Sequence, residues 1–404
     1  MATVSERFLR YVAFDTMSDE FSETCPSTEK QLALGKALVE EMLSMGIADA
    51  HMDENGYIYG TVPGDPSLPT IGLIAHMDTS PSCSGANIKA QTILYNGGDI
   101  LLNEEKQIYM CESDFESLAN NVGKHLIVTD GTTLLGADDK AGIAEILTAA
   151  QMLMESKQPH ATLRIGITPD EEIGRGADLF DVEGFKADYA YTVDGGALGE
   201  LEYENFNAAG MRVVVHGVNI HPGSAKNQMK NAALIAMEWN SLLPPAEIPA
   251  HTEGYEGFFH LCQMEGNEEL ASLIYIIRDH DAAKFDRRKQ QVQEITDFLN
   301  ARYGEGTVEL QLRDSYRNMR EMIEPHMHII GKAKAAFEAC GVKPLTTPIR
   351  GGTDGANLSF MGLPCPNIFA GGHNFHGKME YVPLESMEKA SKVILNIISL
   401  YAQQ

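Results

Sequence analysis

Positive charge is scarce in this sequence: 31 Lys and Arg stand against 57 Asp and Glu, for a formal net charge of −26. A field of that sign repels phosphate backbones and anionic headgroups, so nucleic acid and membrane are not expected partners. Long apolar runs are also missing, and nothing approaches the ~18 residues of a membrane span. The start, Met1 to Arg7, carries no apolar signal region. Cysteine is sparse: the six at 25, 83, 111, 262, 340 and 365 include no Cys-x-x-Cys pair. They are expected to be free thiols in a reducing compartment, rather than a disulfide framework or a structural zinc knot. No low-complexity segment interrupts the chain. What remains is 404 residues with 44% hydrophobic and 22% charged content. These values indicate a globular, cytoplasmic protein of two domains.

The chain is organised around Leu134-Leu135-Gly136-Ala137-Asp138-Asp139-Lys140-Ala141-Gly142. After it, Ile143, Ile146, Leu147, Ala150 and Leu153 fall on one stripe of a core-facing helix. Asp138 and Asp139 therefore sit on a Gly-flanked turn at a helix N-terminus. There a carboxylate either caps the helix or reaches into a cleft. One acid suffices for a cap, and two exceed that need.

Three apolar runs read as strands covered on both faces. Residues 70–75 lead into His76-Met77-Asp78, 162–167 into Pro169-Asp170-Glu171-Glu172, and 190–193 into Asp194-Gly195-Gly196. In open α/β sheets, ligands bind beyond the carboxyl ends of strands. Upstream, Thr28-Glu29-Lys30-Gln31 reads as a capping box opening a helix to Gly46. Residues 55–61 read as an edge strand or hairpin arm. The stretch 81–123, rich in Asn, Gly and Asp, reads as an irregular surface insertion. From 208 the pattern becomes β-α-β-β-α-β, with strands 211–217, 257–264, 270–277 and 308–313 and helices 226–243 and 284–303. That order is a ferredoxin-like sandwich. The α/β pattern then resumes with helix 320–340, strand 367–370 and helix 384–401. The expected fold is α/β: a mixed sheet flanked by helices, residues 1–207 and 318–404, with the sandwich, 208–317, inserted.

His76, Asp138, Glu172, Asp194 and His376 all fall at strand ends or adjoining loops. Imidazole and carboxylate donors suit Zn²⁺, with Mn²⁺ or Co²⁺ as alternatives. Two metals ~3.5–4 Å apart need a shared ligand. One His and one carboxylate per metal plus a bridging Asp uses all five residues and leaves room for water.

These residues lie in His76-Met77-Asp78-Thr79-Ser80, Gly136-Ala137-Asp138-Asp139-Lys140, Pro169-Asp170-Glu171-Glu172, His221-Pro222-Gly223-Ser224-Ala225-Lys226 and Arg350-Gly351-Gly352-Thr353-Asp354. In that order the segments resemble those of the peptidase T group of tripeptide aminopeptidases. That group lies within the dizinc exopeptidase family, which also includes glutamate carboxypeptidases and succinyl-diaminopimelate desuccinylase. The resemblance runs from about residue 5 to about 402 and implies a zinc-exopeptidase fold. It implies two zinc ions: His76 and Asp194 on one, Glu172 and His376 on the other, with Asp138, not Asp139, bridging. A cis peptide after the bridging Asp, Glu171 as general base and Asp78 as partner of the His76 imidazole are further implications. The family calls the inserted domain a lid or dimerisation domain, so a homodimer is allowed.

Chemistry supports the roles. Metal lowers the pKa of a water and an adjacent carboxylate takes its proton during attack on a peptide carbonyl. His221 is the candidate to meet the developing oxyanion. The final ligand is expected at His376 rather than His373. His216 reads as structural, and His326 and His328 point to different helix faces. Arg278, Arg350 and Asp99 are candidates for holding the ends of a short peptide substrate, Arg350 because guanidinium grips a carboxylate bidentately. The expected activity is release of the N-terminal residue from tripeptides. The alternatives are a related carboxypeptidase or N-acyl amino-acid deacylase and, less favoured, a silent metal-binding relative.

Overall fold

The computed structural model describes residues 2–156 and 158–402. The chain divides into two compact units, one of Met1–Tyr203, Glu321–Thr347 and Thr353–Gln404, the other of Glu204–Arg320 and Pro348–Gly352. The second unit thus begins before residue 208 and takes in 348–352, which the sequence had placed in the larger domain.

The larger unit is built on a seven-stranded sheet. Across it run His51–Met52, Ile58–Val62, Leu163–Thr168, Ile71–His76, Tyr189–Gly195, Asn367–Phe369 and Leu201–Glu202. Ile71–His76 lies parallel to both Leu163–Thr168 and Tyr189–Gly195, and Asn367–Phe369 is parallel to the latter. Every residue of Ile71–His76 is buried, as expected of a strand covered on both faces. Ile58–Val62 is a hairpin arm, antiparallel to His51–Met52, rather than an edge. The long helix at 137–155 packs on this sheet and against the helices Val4–Tyr11 and Leu384–Leu400. Gly142 permits that approach, because a Cβ there would lie 2.0 Å from the Val193 carbonyl oxygen.

Two expectations fail here. The helix Gln31–Met45 has no side-chain cap, and the Thr28 hydroxyl donates instead to the Met17 carbonyl at 2.8 Å. The stretch 81–123 is ordered: Gln91–Leu94 and Tyr381–Pro383 flank His125–Val128 in an antiparallel sheet. Beside it stands a hairpin of Ile100–Asn103 and Ile108–Met110. Tyr95, Leu102, Met110, Leu118 and Tyr381 form its own apolar core. Its hydrophobic residues are interleaved with turn residues, so no single run announces a strand.

In the second unit a four-stranded antiparallel sheet runs Phe258–Gly266, Leu270–Asp279, Asn207–His216, Val308–Tyr316. The helices Ala232–Ser241 and Ala282–Tyr303 pack on it through Trp239, Val292 and Leu299. The order is β-α-β-β-α-β. The first helix starts six residues later than the expected 226.

Candidate metal centre

Gly136 takes a left-handed φ of 77°, which delivers the chain from the buried Leu134-Leu135 pair into the turn at Asp138. Asp138 and Asp139 have non-helical backbone angles, and the peptide between them is cis. The turn is clamped by Glu380, a buried carboxylate that no sequence pattern marked. Its oxygens accept the N–H groups of Leu135 at 2.7 Å, Gly136 at 2.8 Å and Asp138 at 3.1 Å. Burial outweighs these bonds and pushes its carboxyl up to about 7. Asp139 turns inward, accepting from the backbone of His76 at 3.3 Å and Gly142 at 3.1 Å.

Five side chains converge at the carboxyl ends of the parallel strands. His76 Nε2 lies 2.8 Å from Asp138 Oδ1 and 3.4 Å from Asp194 Oδ1. His376 Nε2 lies 3.1 Å from the other Asp138 oxygen and 2.8 Å from Glu172 Oε2. The geometry yields two donor groups, His76-Asp138-Asp194 and Asp138-Glu172-His376, each with ligand atoms within 4.8 Å of one another. Asp138 belongs to both. Asp78 is fully buried beneath them: its carbonyl lies 3.1 Å and its carboxylate 3.3 Å from His76 Nδ1. The same carboxylate accepts the N–H groups of Glu171 at 3.0 Å and Glu172 at 3.2 Å. This second task, tying one strand end to another, was invisible in the sequence.

The electrostatics are those of a site lacking positive charge. Burial, then repulsion from Asp138, pushes Glu172 up to about 7; burial likewise carries Asp194 to about 7, against the pull of His76. Burial and the Asp194 charge raise Glu171 well above the carboxylate range. Burial opposes the ionised form of Asp138 too, but hydrogen bonds from His376 and His76 hold it below that range. Bonds to Asp138 and Glu172 push His376 up to about 11. Among the described residues no lysine or arginine pairs with these carboxylates; the buried Lys140 ammonium donates to the Phe14 carbonyl instead. Two imidazoles and three carboxylates in oxygen-rich surroundings are donors that fit a pair of divalent cations.

Other candidates sit elsewhere. His373 stacks on Tyr381 at 4.7 Å, and burial pushes its imidazole down to about 4. His326 and His328 both pack on the Tyr189 ring, their own ring centres 6.3 Å apart. His216 pairs with Glu309. Asp99 accepts the Glu112 N–H at 3.0 Å within its own turn. Arg278 donates to the carbonyls of Ile277 and Ala209 and covers the Tyr316 ring. Arg350 donates to the carbonyls of Gly254 at 2.6 Å and Glu256 at 3.2 Å and stacks on Phe206. Both guanidiniums therefore serve the packing of the second unit. His221 opens a short turn of that unit, its Nδ1 accepting the Gly223 N–H at 3.2 Å, beside a hollow of about 580 Å³.

Two donor groups sharing a carboxylate at the ends of parallel strands are the layout of a two-metal hydrolase. Residues 130–400 match the peptidase family M20/M25/M40, and the chain belongs to that family. Peptidase T of Halothermothrix orenii is 58% identical and that of Alkaliphilus oremlandii 57% identical, each comparison covering all of both chains. The crystal structure of the aminopeptidase PepT from Bacillus cereus shares the fold, with a TM-score of 0.78 at 23% identity over 99% of this chain and 98% of that one. A dinuclear metal-binding peptidase of Bacillus subtilis superposes with a TM-score of 0.65 at 12% identity, over 98% and 97% of the two chains. The protein is thus a hydrolase of a two-metal peptidase class. No helix among the described residues is long and apolar enough to cross a membrane.

Proposed function

We propose that this chain is a dizinc aminopeptidase that releases the N-terminal residue of tripeptides. The observation that carries the metal chemistry is the sharing of Asp138 between His76 and His376. The substrate class rests on the full-length identity to proteins named Peptidase T. His76 and Asp194 would hold one ion, Glu172 and His376 the other, and Asp138 both. When bound, the ions supply Lewis acidity and a water acidic enough to attack at neutral pH.

The remaining work falls to the chain's own groups. Glu171, whose carboxylate makes no bond or ion pair with either histidine of the cluster, accepts a proton from the attacking water and returns it to the departing amine. Asp78 holds the His76 ring by its Nδ1 side, leaving Nε2 toward the ligand cluster. His221 is the imidazole that would meet the developing oxyanion. A cytoplasmic setting, and a homodimer through the second unit, belong to the same proposal.

The test is release of free amino acid from a plain tripeptide and from its N-acetylated twin, after chelation and after Zn²⁺ is added back. Zinc-restored cleavage of the free-amine peptide alone supports the reading. Cleavage of the blocked peptide moves the assignment to a carboxypeptidase or deacylase. Glu171→Gln should lower kcat by about 10²–10⁴-fold with bound metal retained.

A further inference from the structure

Glu171 and Glu172 are neighbours with different tasks. Glu172 faces His376, whereas the Glu171 carboxylate makes no hydrogen bond or ion pair with either histidine of the cluster. Something must hold the backbone so that two consecutive side chains diverge. The residue before them, Asp170, is fully buried and adopts φ 58° and ψ 23°, a left-handed conformation that side chains rarely take. Its side chain is gripped from a segment 139 to 143 positions away in sequence. Ser27 donates its N–H to one carboxylate oxygen at 2.7 Å. The other oxygen accepts the Ser27 hydroxyl at 2.5 Å and the Gln31 amide at 2.7 Å. Arg175 reaches within 3.7 Å of the same carboxylate, and its N–H closes the turn on the Asp170 carbonyl at 3.0 Å.

We propose that Asp170 is a positioning residue for the general base, with Ser27 and Gln31 as its anchors. The anchored side chain fixes the left-handed turn. The Asp78 carboxylate fixes the next two N–H groups, and together they aim Glu171 away from the ligand set that Glu172 joins. Pro26-Ser27-Thr28 and Gln31, at the start of the helix Gln31–Met45, thereby act on a site they do not touch. The inference rests on Glu171 as base. Its own content is that Asp170 controls the placement of that base and not metal loading.

Three variants separate the components. Asp170→Gly can adopt the left-handed conformation without strain but loses the grip that fixes it. Asp170→Asn can satisfy the same partners once the Ser27 hydroxyl rotates and the Gln31 amide turns over. Ser27→Ala removes one donor from the anchoring segment while leaving the turn's own sequence intact. Each is assayed on the zinc-loaded enzyme for kcat and KM, for bound metal per chain by atomic emission, and for zinc affinity by chelator competition. Asp170→Gly is expected to lose about 10²-fold in kcat, the cost of misplacing a catalytic group by ~1 Å, with KM and both metals retained. Asp170→Asn should recover most of that loss, and Ser27→Ala should show a smaller loss of the same kind. Full kcat in Asp170→Gly, parallel loss of metal and activity, or no recovery by Asp170→Asn would each overturn the proposal. Should Asp170→Gly fail to fold, Ser27→Ala decides: unchanged kcat, or loss of metal, overturns it. Wild type and Glu171→Gln, run alongside, show separately whether Glu171 is the base at all.

Discussion

Glu145 lies on the helix that follows the central turn, fully buried, and neither of its carboxylate oxygens has a hydrogen-bond partner among the described residues. Burial alone raises its carboxyl well above the ordinary 4.5. A raised carboxyl contributes stability that is whole below the unfolded-state value and shrinks as pH rises toward the folded one. Glu145→Met fills similar space without the polar group and should stabilise the protein by about 1–3 kcal/mol at pH 8. The gain should be smaller at pH 5, and urea unfolding at both values measures the difference. Glu380 is the opposite case, since its carboxylate serves three buried N–H groups. Glu380→Met strands all three and should cost at least about 3 kcal/mol in the same experiment. It should also loosen the Asp138 turn, read as weaker zinc binding against a chelator. Residue types at strand ends made the cluster of candidate donors legible. Glu380 and the two-way use of Asp78 were not legible, because their meaning lies in contacts across 93 to 245 residues that no local pattern encodes, and Glu145 was not because its significance is burial without a partner.

At the scale of elements, periodicity located the buried strands and the long helices, where every turn repeats the same signal. It failed where a local competitor decides. Residues 226–231, Lys226-Asn227-Gln228-Met229-Lys230-Asn231, hold a single apolar residue and mark no helix start, whereas the Asn231 side chain accepts the Leu234 N–H at 3.1 Å and starts the helix there. Asn231→Ala should cost about 1 kcal/mol in thermal or urea unfolding, and Asn231→Asp almost nothing, because both natural caps accept that bond. At 28–31 the apparent capping box is spent otherwise: Thr28 bonds Met17, and Gln31 bonds Asp170. Arg350 shows the same limit from the other side. A guanidinium on a Gly-Gly loop fits a substrate carboxylate by type, and pattern did not show that it also closes a loop by donating to Thr252, Gly254 and Glu256.

At the scale of the whole molecule, an acidic chain gathers four carboxylates, Asp138, Glu171, Glu172 and Asp194, around two imidazoles, and among the described residues no lysine or arginine pairs with them. The gathering was legible because the fold places parallel strand ends together, and the charge imbalance has a measurable consequence once metal is stripped. In the metal-free protein Glu172 and Asp194 sit at about 7, and Glu171 is raised as well. The stability these three contribute is complete below their unfolded-state values and falls as pH rises above them, for Glu172 and Asp194 through about 7. His376, raised to about 11, works in the same direction: its contribution is full below 6.5 and declines as pH climbs toward the folded value. Asp138 is held low and stays ionised throughout this window, so it adds no slope between pH 6 and 8. The metal-free protein should therefore lose melting temperature from pH 6 to pH 8. Zinc binding runs the other way, because its ligands must be deprotonated and metal affinity strengthens with pH. Calorimetric scans of the two forms should diverge as pH rises, with the larger gap at pH 8. A gap that stayed constant, or narrowed, would show that the five-residue cluster is not where the metal is held.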